Sequence, residues 1–134
     1  MKFNRELGAT RHLIGLIDDD ESVRKSTALL IGSFGFRVAT YESAESFLNS
    51  GHLGDASCLI VDVQMPGMNG LDLQNRLAAS GSRVPIIFIT AHEDKKTRRR
   101  AMEAGAVAFL SKPFSDEDLL QTIQSALDID KGAT

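Results

Sequence analysis

Five short apolar runs, separated by segments of helical period, leave this chain few folds to choose from. Leu13–Ile17, Cys58–Val61, Ile86–Ile89 and Val107–Leu110 are each only four or five residues long. Their unbroken apolar character is that of strands buried on both faces of a parallel sheet. Phe36–Tyr41 is more mixed, with Arg37 among apolar neighbours, and fits a sheet edge. Between the runs, Val23, Thr27, Leu30 and Phe34 recur at helical spacing, and Gly35 follows as a helix-ending residue. Ala44, Phe47 and Leu48 form a second, short stripe with Ser43 as its N-cap. Gly70, Leu73 and Leu77 form a third. Ser115 and Asp118 open a last helix in the manner of a capping box, with Leu119, Leu120, Ile123, Ala126 and Leu127 as its buried face.

The fourth helical segment, about His92 to Ala104, differs from the rest. Its middle, KKTRRR, carries five basic residues in six, and its apolar face is little more than Ala101, Met102 and Ala104. Helices in proteins owe most of their stability to an apolar face packed on the core. This one is therefore expected to be the least anchored of the five.

Strands alternating with helices predict an α/β fold, (βα)5, with a doubly wound five-stranded parallel sheet and helices on both faces. The flavodoxin-like strand order 2-1-3-4-5 is the natural choice. At 134 residues the chain has the length of one domain. We divide it into an N-terminal tail, 1–11, a domain, 12–128, and a C-terminal tail or start of a linker, 129–134. A net charge of −3 disfavours nucleic acid or an anionic membrane as the partner of the whole surface. Cys58 is the single cysteine, so no internal disulfide can form, which fits a reducing compartment. No stretch approaches the roughly 18 apolar residues of a spanning helix. The opening MKFNRELGATRH lacks the apolar core of a signal peptide. A cytoplasmic location is expected.

In such sheets ligands bind outside the carboxyl ends of the strands. There the chain places Asp18-Asp19-Asp20 after the first strand, Asp62 after the third, Thr90 after the fourth and Ser111-Lys112-Pro113 after the fifth. Clustered carboxylates repel one another unless a cation neutralises them. An all-oxygen, highly anionic set suits Mg²⁺ (or Mn²⁺), and a nearby lysine suits a phosphoryl oxygen. An aspartate among them is a reasonable nucleophile for phosphoryl transfer.

This constellation resembles the receiver domain of two-component response regulators, the CheY-like family. The motifs are LIGLIDDDESVRKS, LIVDVQMPGMNGLDL, IIFITAHED and AGAVAFLSKPFSDEDLL, covering nearly all of residues 12–128. GAVAFLSKPF followed by an acidic helix start looks like the FixJ group, whose members often carry a DNA-binding output domain. The resemblance implies that Asp62 accepts a phosphoryl group from a sensor histidine kinase or phosphotransfer protein. It implies Mg²⁺ ligation by Asp18, Asp19, Asp62 and the backbone carbonyl of Gln64. Thr90 and Lys112 would bind phosphoryl oxygens, and Phe109 would be the aromatic switch residue that swings inward as Thr90 moves. Phe109 lacks the hydroxyl of the tyrosine often found there. Lys112-Pro113 matches the family's cis peptide bond. Gln64 and His92, each two residues past a site residue, would flank the attacking water and tune dephosphorylation.

The bland readings are weaker. Asp20 is an N-cap or first-turn acid, and His12 and His52 are surface residues. The basic run Lys95–Arg100 is a solvated helix face or part of a partner face, and direct DNA contact by this domain is not expected. A haloacid-dehalogenase-like phosphatase would need an acid where Gln64 stands. A nucleotide or flavin site would need a glycine-rich phosphate loop, which is absent from the sequence. A constitutive interaction module would have lost one of the acids, the threonine or the lysine. The expected protein is a phospho-accepting signalling domain rather than a turnover enzyme. Its signal would leave through the fourth helix, fifth strand and fifth helix to a downstream protein, an output domain or a phosphorylation-dependent homodimer. A stand-alone receiver is the favoured reading, with the receiver part of a FixJ-like transcriptional regulator as the alternative.

Overall fold

A computed structural model of the chain describes residues 12–132, the side chains of 129–132 excepted. The N-terminal tail, 1–11, and residues 133–134 lie outside the described residues. Strands β1 (Leu13–Ile17), β2 (Arg37–Tyr41), β3 (Cys58–Asp62), β4 (Ile86–Thr90) and β5 (Ala108–Ser111) alternate with helices α1 (Glu21–Ser33), α2 (Ala44–Leu48), α3 (Gly70–Ala79), α4 (Lys95–Glu103) and α5 (Asp116–Gly132). The strands form one sheet in the order β2-β1-β3-β4-β5, with every described pairing parallel. Both the order and the edge position of β2 are as expected. None of the helices described is long and apolar enough to cross a membrane.

The central strands are buried on both faces because successive side chains point to opposite sides. Leu59, Val61 and Phe88 face a cluster closed by Phe47, Leu73, Leu77 and Ala101, from α2, α3 and α4. Ile60, Ile87 and Ile89 face the other way, onto Ile31 of α1 and Leu119, Ile123 and Ala126 of α5. Each such fully buried aliphatic side chain contributes on the order of 1.5–3 kcal/mol.

Several helices differ in detail from their sequence patterns. In α1 the fully inward positions are Thr27 and Ile31, while Val23, Leu30 and Phe34 are half-buried. In the Leu29-Leu30-Ile31 run the rotation that docks Ile31 leaves Leu29 exposed. Helix α4 begins at Lys95 rather than near His92, because Asp94 is its N-cap and accepts from the amide of Lys96 at 3.1 Å. Of its expected apolar face, only Ala101 is buried; Met102 and Ala104 are exposed. A second contact holds α4 near Ala101. The buried Gln74 of α3 donates its Nε2 to the Ala101 carbonyl at 3.0 Å. Helix α5 runs through Gly132, past the expected end near residue 128. Ser115 Oγ accepts from the amide of Asp118 at 3.0 Å at its start, as the capping pattern predicts.

Candidate functional site

The carboxyl ends of β1, β3, β4 and β5 bring Asp18, Asp62, Thr90 and Lys112 to one edge of the sheet. One carboxylate oxygen each from Asp18, Asp19 and Asp62 lies within 4.8 Å of the others. Asp18 is fully buried and Asp62 nearly so, while Asp19 is exposed at the rim. The third acid of the run, Asp20, caps α1 by accepting from the amide of Val23 at 3.1 Å.

Asp18 is fixed from several directions. Its amide donates to Tyr41 O at 3.1 Å. Its carbonyl accepts from Arg24 Nη1 at 2.8 Å. Its Oδ1 accepts from the amide of Asp20 at 2.9 Å. The other oxygen, Oδ2, is buried without a hydrogen-bond partner. Lys112 Nζ stands 3.6 Å from it and 4.0 Å from Asp62 Oδ2. A buried carboxylate oxygen left unpaired is costly, and one ammonium shared by two acids compensates only part of that cost. The donor set therefore fits a further cation, and its all-oxygen character selects a hard one.

Asp62 reflects the same deficit. Burial, chiefly, and the neighbouring Asp18 push its carboxyl up to about 6, against the opposing pull of Lys112 and the amide of Gln64. That amide donates to Asp62 Oδ1 at 3.2 Å. The backbone behind Asp62 is held close by α3. The amide of Gly70 donates to Val63 O at 2.9 Å. A Cβ on Gly70 would come within 2.8 Å of the Asp62 carbonyl oxygen and 2.9 Å of the Phe88 ring. Asn69 and Asp72 form a capping box there, each side chain accepting the other's amide. On the outer side, Glu45 Oε2 accepts from the amide of Met68 at 3.0 Å, tying α2 to the β3–α3 loop.

The hydroxyl of Thr90 is turned into the β4–α4 loop, donating to His92 O at 3.1 Å and accepting from His92 N at 3.2 Å. Lys112 N donates to Thr90 O at 2.8 Å, and the Lys112–Pro113 peptide is cis. Phe109 is buried, 6.2 Å from the ring of Phe88, so the ring expected to swing inward already lies inside. Gln64 and His92 have exposed side chains. Sequence reasoning missed Gly70's close approach, the Glu45 tie and the contacts of Glu93 described below. The Glu45–Met68 and Glu93–Ser111 contacts join residues 23 and 18 positions apart, and the others depend on how the loops fold back, so no local pattern announces them.

A family model, the response regulator receiver domain, matches residues 14–124. The response regulator protein TmoT of Ectopseudomonas mendocina is 45% identical over 115 residues, spanning 86% of this chain and 52% of that protein. The transcriptional regulatory protein FixJ of Bradyrhizobium diazoefficiens is 40% identical over 118 residues, 88% of this chain and 58% of that one. The chain thus spans about half the length of the curated relatives it matches. Among solved structures, the response regulator StyR superposes with a TM-score of 0.85 at 40% identity, covering 92% of this chain and 63% of that one. The crystal structure of FixJ-N gives a TM-score of 0.80 at 37% identity, covering 87% and 94%. With its parallel sheet and its carboxylates gathered at one edge, the chain belongs to the response regulator receiver domain family.

Proposed function

We propose that Asp62 is the phosphoryl acceptor of this receiver, taking the group from a phosphohistidine on a sensor histidine kinase or phosphotransfer protein. The observation that carries this reading is the convergence on Asp62 of two further acids and Lys112, with Asp18 Oδ2 buried and unpaired. Near neutral pH a carboxyl titrating at about 6 is mostly ionised, and Lys112 favours that form. An oxygen of the Asp62 carboxylate attacks phosphorus, a P–O bond forms as the P–N bond to histidine breaks, and the imidazole retains the electron pair. Asp18, Asp19, Asp62 and the Gln64 carbonyl would hold Mg²⁺ or Mn²⁺. When bound, such an ion supplies positive charge to the phosphoryl oxygens.

The new dianion beside Asp62 offers acceptors that Thr90 and Lys112 can satisfy. Lys112 is already within reach of both acids. Thr90 must give up its donation to His92 O, since a hydroxyl has one proton to donate. The consequence is a rearranged β4–α4 loop and a shift of α4, whose single buried side chain makes it the movable element. The signal leaves through α4, β5 and α5, to a downstream protein, a second copy or an output domain of the kind that FixJ-like transcriptional regulators carry. Gln64 and His92 set how long the phosphoryl group survives. We place this chemistry in the cytoplasm, where kinase domains and their phosphodonors reside.

The test is intact mass after treatment with acetyl phosphate and Mg²⁺, for wild type and Asp62→Asn. A phosphate adduct is expected on wild type and none on the variant. An adduct on both proteins, or on neither, overturns the reading.

A further inference from the structure

The exposed loop between β4 and α4 carries more polar organisation than the phosphorylation site alone requires. Beyond the paired hydrogen bonds of Thr90 with His92, the next residue, Glu93, has both carboxylate oxygens engaged. Its Oε1 accepts the hydroxyl of Ser111, at the end of β5. Its Oε2 accepts from Arg98 Nη1 of α4 at 2.9 Å. The guanidinium carbon of Arg98 in turn lies 6.0 Å from the centroid of the buried Phe109 ring. One side chain therefore fastens the loop to the strand beside it and to the helix after it. Ser111 is also the ladder partner of Thr90 and the neighbour of Lys112.

All of these contacts coexist with the Thr90 hydroxyl turned into the loop. If that hydroxyl is to donate elsewhere, His92 O loses its partner, and the segment from His92 to Asp94 loses the bond that shapes it. Glu93 lies within that segment, with its two contacts set by the present loop path. A ligand can shift such an equilibrium only by what it gains in one state over the other. Any contact confined to the disengaged state therefore opposes the shift.

We propose that Glu93 is a positioning residue that acts as a brake: through Ser111 and Arg98 it holds the β4–α4 loop in the form that keeps Thr90 away from Asp62. This rests on the reading of Asp62 as the phosphoryl acceptor and adds to it a residue that sets how readily the phosphorylated state forms. Glu93 and Arg98 are about half exposed, with side-chain exposures of 40% and 51%. Exposed ion pairs and single hydrogen bonds are weak, so releasing the brake should change affinity by about threefold to fivefold.

The experiment titrates the protein with beryllofluoride, a phosphoryl mimic, in Mg²⁺, following the amide resonances of His92 and Glu93. Glu93→Gln and Ser111→Ala are each expected to tighten binding by about threefold to fivefold relative to wild type. Ser111→Ala leaves the charge unchanged, so its effect cannot come from weaker repulsion of an anion. In a Thr90→Ala background there is no hydroxyl to recruit, and adding Glu93→Gln should change nothing. Unchanged or weaker binding by the two single variants overturns the brake. An equal gain with and without Thr90 also overturns it, since it would reduce Glu93 to a matter of charge. Failure of wild type to bind beryllofluoride would overturn the role of Asp62 and, with it, this inference.

Discussion

Lys112 Nζ lies 3.6 Å from Asp18 Oδ2, an oxygen with no hydrogen-bond partner at the fully buried end of β1. The lysine is thus a structural counter-ion as well as a candidate phosphoryl ligand. Lys112→Met leaves two acids facing each other without it. In chelator the variant should be less stable by about 1–3 kcal/mol, the cost of stranding partly buried charge. Saturating Mg²⁺ should recover most of that loss. Urea unfolding with and without the ion checks both.

Asp62 gives a pH signature whose sign follows from its raised pKa. A carboxyl that titrates at about 6 in the folded state, above its ordinary 3.8, disfavours folding once it ionises. That burden is full above about pH 6 and disappears as the pH falls toward the unfolded value. Without metal, Asp62→Asn should therefore be more stable than wild type by about 1–3 kcal/mol at pH 7.5. The advantage should vanish near pH 4. Chemical denaturation across that range measures it, and added Mg²⁺ should reverse the order at neutral pH.

Gly70 is required by space rather than by backbone angle. With the Asp62 carbonyl 2.8 Å from where its Cβ would stand, Gly70→Ala must push back either α3 or β3. We expect a loss of about 2 kcal/mol or more and slower phosphorylation as Asp62 is displaced. Gly32 is the contrast. A Cβ there meets nothing within 4 Å, so Gly32→Ala in α1 should stabilise by about 0.5–1 kcal/mol. Thermal melts of the two variants, together with acetyl phosphate labelling, separate crowding from a general intolerance of alanine.

Gln64 and His92 have exposed side chains and, on the reading proposed above, stand beside the path of the hydrolytic water. Truncation opens that path. Gln64→Ala and His92→Ala should each speed loss of phosphate by about threefold, equal to about 0.7 kcal/mol of barrier. The decay of phosphoprotein mass after removal of the donor reports the rate. Unchanged decay in both variants would leave these side chains without the assigned role.

The strand ends were legible in the sequence because Asp18, Asp62 and Thr90 directly follow their apolar runs, with Lys112 one residue further on, and parallel topology carries all of those ends to one edge. Strand order followed from the alternation of strands and helices, and the edge position of β2 from Arg37 among its apolar neighbours. What escaped was set by side-chain hydrogen bonds in the loops and by packing between segments. His92 and Glu93 look like the start of a helix, yet the hydrogen bonds of Thr90 keep the chain out of it until Asp94 caps α4. In α1 the run Leu29-Leu30-Ile31 allows two rotations, and only packing against the sheet selects Ile31. Gly70 fits a helical stripe so readily that its nearness to Asp62 is invisible until β3 and α3 are brought together.

The bond from Gln74 to the Ala101 carbonyl gives α4 unequal ends. Near its C-terminus the helix is pinned by that amide and by the buried Ala101 methyl. Its start is fastened by the Asp94 cap and by Arg98, which reaches Glu93 and the Phe109 ring, with no side chain buried before Ala101. At about 1.5 Å per residue, Lys95 lies roughly 9 Å along the axis from that pin, so a tilt of about 10° moves the first turn by about 1.5 Å. On the function proposed above, such a rod would work as a lever with its fulcrum far from the site, and a hydroxyl changing partner at Thr90 would push on the less firmly held end. The stroke is then large where the basic residues Lys95 and Lys96 stand and small where the helix meets the core.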